Sequence, residues 1–161
     1  MRDTILQLRE GLHSSTRLKL IDPTVTAEIS DCLQKSIPGL CGKRMSHHVC
    51  PDKTCRTAFW LEINLEIEYR LVVEISKVGK YARVYWKRRR SLSTDYSATI
   101  PPADRPEYGN CLRYVEQAIS QCGVSLLNSE ELDERVPLSS DELNPSDEAT
   151  VASLVFGSEY H

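Results

Sequence analysis

From Phe59 to Ile75 every odd position is apolar: Phe59, Leu61, Ile63, Leu65, Ile67, Tyr69, Leu71, Val73 and Ile75. The even positions are mostly polar, with Glu62, Asn64, Glu66, Glu68, Arg70, Glu74 and Ser76. A period of two is the side-chain period of a strand with one dry and one wet face. The run is longer than an ordinary strand. It therefore predicts, within 57–76, either one long bent strand or two strands joined by a turn that keeps the parity. The next segment, 81–87, buries the opposite parity through Ala82, Val84 and Trp86. A hairpin over Lys77-Val78-Gly79-Lys80 explains the switch. If Ser76 faces Tyr81, Ile75 meets Ala82, Val73 meets Val84 and Leu71 meets Trp86. The same register sets Glu74 opposite Arg83 and Val72 opposite Tyr85 on the wet face, so apolar and opposite-charge pairs follow from a single alignment.

Helical spacing lies on either side of this sheet. Ile5, Leu8 and Leu12 predict a short amphipathic helix near 4–12. Asp22 as cap, Pro23 at the first position and the spacing of Val25, Ile29, Cys32 and Leu33 predict a second near 23–36, ended by Pro38-Gly39. A third runs over 107–122 with Cys111, Leu112, Val115, Ile119 and Cys122 on its face and Gly123 at its C-terminal cap. This last helix is expected on the dry face of the sheet. The reading is one α+β domain over residues 1–161, an antiparallel sheet packed by helices. Residues 38–56 and 91–105 read as irregular loops, and 137–148 as an acidic, turn-rich segment. Residues 124–127 suggest a short strand, and Asn128-Ser129-Glu130-Glu131 a capping box. Residues 150–156 are apolar without a decisive period.

Composition narrows the class. The 20 basic and 23 acidic residues give a net charge of -3, which argues against a nucleic-acid-binding domain as a whole. The opening apolar run is interrupted by Gln7, Arg9, Glu10 and His13, and no stretch approaches the length of a membrane span. A cytoplasmic protein with no membrane partner is expected, its six cysteines kept as thiols. Cys32, Cys111 and Cys122 then act as unpaired small hydrophobes on helix faces.

Three clusters are candidates for chemistry. Cys41, His47, His48, Cys50 and Cys55 supply thiolate and imidazole, the ligand types of zinc, at a permissive spacing. A cysteine nucleophile with a histidine base in the same loop is a weaker idea, since such groups are normally gathered from distant segments. No serine-hydrolase, zinc-protease, phosphate-loop or dinucleotide signature is present, so no catalytic residue is assigned and an enzyme is not expected. Lys87, Arg88, Arg89 and Arg90, with Arg83 and interleaved tyrosines, suit phosphate contact. Glu62, Glu66, Glu68 and Glu74 on the wet face suit a basic protein partner, met quickly through charge attraction. The layout is compatible with inhibitors of the immunity type and with chaperones, an analogy of fold alone. The sequence therefore predicts a non-enzymatic protein-interaction module without a cofactor, binding one basic protein through those glutamates. The alternative is a small zinc-stabilised or nucleic-acid-contacting regulator.

Overall fold

The computed structural model describes residues 20–41, 44–50, 55–65, 68–89, 96–99, 105–137 and 148–157. The expected 4–12 helix, Glu66, Arg90 and most of the acidic 137–148 segment lie outside the described residues. The 57–76 run is two antiparallel strands, β2 (Thr57–Asn64) and β3 (Tyr69–Ser76), with Leu61 opposite Val73. Leu65 and Tyr69, at the ends of the turn, are both buried, so parity is kept across it. β4 (Tyr81–Arg89) pairs with β3 in the expected register: Ile75 meets Ala82, Glu74 meets Arg83, Val73 meets Val84 and Leu71 meets Trp86. A strand β1 (Arg44–Val49) joins the free side of β2, and β5 (Tyr96–Thr99) joins β4, giving the antiparallel order β1-β2-β3-β4-β5. The outer edge of β4 is shared. β5 pairs with Trp86 to Arg89, and a short parallel β6 (Ser125–Leu126) pairs with Tyr81 and Ala82.

Two helices cover the dry face: α1 (Pro23–Cys41) and α2 (Pro106–Gln121). The Thr24 amide donates to Asp22 Oδ1 at 2.9 Å, which caps α1 and holds the Asp22 carboxyl below its usual range. Ile29, Leu33 and Ile37 of α1 and Tyr108, Cys111, Val115, Ala118 and Ile119 of α2 pack on Phe59, Leu61, Ile63, Leu71, Val73 and Ile75. At the end of α2, Gly123 takes φ +74°, a conformation that glycine adopts at no steric cost, and its amide donates to the Ser120 carbonyl at 3.0 Å. The Asn128 capping box is formed and opens the single turn α3 (Ser129–Asp133).

The elements depart from the sequence reading in several places. α1 runs on through Pro38 and Gly39, the pair expected to end it, to Cys41. The 38–56 segment is not structureless: β1 occupies 44–49, its strand character hidden by polar side chains on an edge. The 91–105 segment contains β5. Cys32 and Cys122, expected as unpaired thiols, are joined by a disulfide across a Cα–Cα distance of 5.9 Å. They stand 90 residues apart in the chain and meet only because α1 and α2 lie side by side, so local spacing gives no sign of the pair.

A second apolar cluster forms on the other side of the sheet. The 150–156 segment resolves into β8 (Glu148–Thr150), paired with β7 (Arg135–Pro137), and a short helix α4 (Val151–Phe156). Val151, Leu154, Val155 and Phe156 are buried together with Leu127, Leu132 and Val136.

Candidate interaction site on the polar sheet face

α4 settles on the face that the alternation marks as wet, and divides it in two. Under the helix, Glu74 and Arg83 are 0% and 2% exposed, and Arg83 Nε donates to Glu74 Oε2 at 2.6 Å. The single Thr57 hydroxyl proton is shared between the other carboxylate oxygen and the Phe156 carbonyl, and the Arg83 guanidinium lies 4.7 Å from the centre of the Phe156 ring. The last four carbonyls of a helix have no partner inside it. Here all four are met. Leu154 O accepts from Arg56 at 3.0 Å, Val155 O from Ser76 Oγ at 2.5 Å, Phe156 O from Thr57 Oγ1 at 3.1 Å, and Ser153 O from the Gly157 amide at 3.2 Å. Thr57, which precedes a register shift at the start of β2, and Ser76, at an even position of β3, thus receive a helix end. Val72, also at an even position, is fully buried. The expectation that this whole face is wet is corrected, because a distant segment covers it.

The remaining part of the face is centred on Glu62, itself 8% exposed. Arg70 lies 2.7 Å from its carboxylate, Lys87 3.6 Å and His48 3.7 Å. Burial raises the Glu62 pKa, but the Arg70 hydrogen bond and the charges of Lys87, His48 and Arg70 outweigh it and hold the carboxyl below its ordinary value. His48 stacks on Trp60, ring centres 5.3 Å apart and planes 13° apart, and its Nε2 lies 3.0 Å from Ser46 Oγ. The register also places Arg44, Tyr85 and Arg89 on this face. One carboxylate therefore sits among several cations and aromatic rings. Arg70, His48 and Trp60 are contributors that the sequence reading did not assign to this chemistry, because only the cross-strand register brings them to Glu62.

The assigned residues are distributed as follows. Of the four glutamates, Glu74 is buried in a pair, Glu62 is surrounded by cations, and Glu68 is exposed in the β2–β3 turn. Of the basic set, Arg83 is buried, Lys87 faces Glu62, and Arg88 is exposed on the opposite face, 5.8 Å from the Tyr69 ring. The basic run is thus split between two faces by strand alternation. The zinc set is split likewise. His47 and His48 point to opposite faces of β1, and nothing is described of the Cys41 side chain. Among the described residues, no group of three or more His, Cys, Asp and Glu side chains gathers where a metal ion would be held. Cys50 and Cys55 are half-buried thiols, and burial together with the Cys50 neighbour pushes the Cys55 thiol up.

His47 instead meets α1 at the opposite side of the edge strand. Its Nε2 lies 3.1 Å from Ser30 Oγ, which accepts from Gln34 at 2.8 Å. The pair borders a cleft of about 410 Å³ whose walls include Ala27, Val49, Ala58 and Phe59. A serine beside a histidine is one part of a nucleophilic site, and here Gln34 holds the serine hydroxyl from the helix side.

Compared with known protein families, with curated proteins and with solved structures, the chain matches none. Among the described residues, no helix is long and apolar enough to cross a membrane.

Proposed function

We propose that the protein is a non-enzymatic interaction module, of the inhibitor or chaperone kind, whose polar sheet face around Glu62 receives an acidic segment of one protein partner. The observation that carries this reading is the Glu62 centre, where one carboxylate is met by Arg70, Lys87 and His48. The basic partner expected from the sequence needs an acidic face. The glutamates counted for that face are largely consumed by internal pairing. Trp60, Tyr85 and Arg70 are of the residue types that anchor protein interfaces, where rigid aromatic and guanidinium groups bury area at low entropic cost.

A second reading has its own support: the stacked His48–Trp60 pair beside cations is the kind of platform on which a nucleobase stacks. Capture of partners from a lysate of the source cell, with and without nuclease, separates the two. Retention of an acidic protein after nuclease, lost on adding Lys87→Gln, supports the protein-partner reading. Loss of every partner on nuclease treatment supports the nucleic-acid reading, and retention of a basic protein alone contradicts both.

A further inference from the structure

We infer that the protein works in an oxidising compartment and that the Cys32–Cys122 bond makes the seating of α1 on the sheet redox-dependent. The two cysteines lie on packed helices, one on α1 and one at the end of α2, with Cα atoms 5.9 Å apart. That separation lies within the range a disulfide spans without moving the backbone. Cystines persist outside reducing compartments and are rare within them.

The position of the bond gives it consequence. All five strands β1 to β5 fall between residues 32 and 122, so the bond closes a loop containing the whole antiparallel meander. Crosslinks that close long loops remove the most freedom from the unfolded chain. Among the described side chains, α1 places Ile29, Leu33 and Ile37 in the core, against five from α2, so the described hold of α1 on the sheet is the smaller. α1 also lies toward the edge strand, where Ser30 meets His47. Both cysteines are partly exposed, so a small thiol reaches them.

Formation takes two thiols and an oxidant carrying its own disulfide. The Cys32 and Cys122 sulfurs lose two protons and two electrons and join, and the oxidant leaves as two thiols. Reduction by a small thiol runs the same exchange backwards through a mixed disulfide. The predicted consequence is a loosened α1 and a weakened cleft wall, with the sheet itself retained by its strand pairing.

The test is acid-quenched alkylation of the protein taken directly from its source cell, followed by digestion without reductant. A peptide joining Cys32 to Cys122 is expected, and alkylation of both in the bulk of the protein would overturn the inference. A second measurement guards the redox dependence. Reductant is expected to lower the thermal midpoint of the wild-type chain by about 10 °C and to leave a C32A/C122A chain unchanged. Hydrogen exchange should rise first over 23–41. An equal fall in both chains, or an unchanged wild-type midpoint, would overturn the switch.

Discussion

Arg83 and Glu74 show how far a residue's role depends on what lands on it. Two opposite charges at adjacent sheet positions read as a solvated pair, yet both are removed from water beneath Phe156. Removing one member of such a pair leaves an uncompensated buried charge, whereas removing both together is far milder. Arg83→Met is therefore expected to cost about 3–5 kcal/mol of stability, and the R83M/E74M chain to lose less than R83M alone. Urea unfolding of the three chains checks this, and strictly additive losses would contradict the pairing. Glu62 offers a pH test with a fixed sign. Its folded pKa lies below the ordinary 4.5. Its contribution to stability is therefore complete above that value and lost as pH falls through the folded value. Acid titration of stability should be steeper for the wild type than for Glu62→Gln below about pH 4.5, and parallel curves would count against the cation cluster. The Glu74–Arg83 pairing was legible in the sequence, since the register follows from parity. Its burial was not, because the covering helix lies some 70 residues further on.

At the scale of elements, strength of periodicity decides what the chain reveals. The parity of 57–76 and of 81–87 makes the register of β3 with β4 legible, while one bent strand or two stays open over 57–76, and the helix near 107–122 with its glycine cap and the Asn128 capping box are legible within a residue or two. β1 carries polar residues on both faces, so its strand character does not show in the sequence. α4 has six residues, less than two turns, too few to show a period. Gly123 makes the readable part testable. At φ +74° a Cβ is strained, so Gly123→Ala is expected to cost about 1 kcal/mol. No effect on the melting midpoint would contradict the left-handed cap. Ser76→Ala leaves the buried Val155 carbonyl without its donor and is expected to cost about 1–3 kcal/mol. Protease cleavage near 150–157 should accelerate in the same variant, and unchanged resistance there would count against α4 being held by this hydrogen bond.

At the scale of the whole molecule, the net charge of -3 misleads about the surface that matters. The glutamates of the sheet are spent on Arg83, Arg70, Lys87 and His48, and many of the remaining acidic residues lie in the C-terminal third. The two sides of β4 then differ in a testable way, since Lys87 belongs to the polar face and Arg88, its neighbour in sequence, to the other. The most direct measurement is the affinity of the captured acidic partner for the wild-type, Lys87→Gln and Arg88→Gln chains, each first shown to melt normally. The account predicts a loss of about tenfold or more for Lys87→Gln, growing smaller as salt screens the contact, and little change for Arg88→Gln. Equal losses in the two variants, or a loss confined to Arg88→Gln, would contradict a binding site on this face.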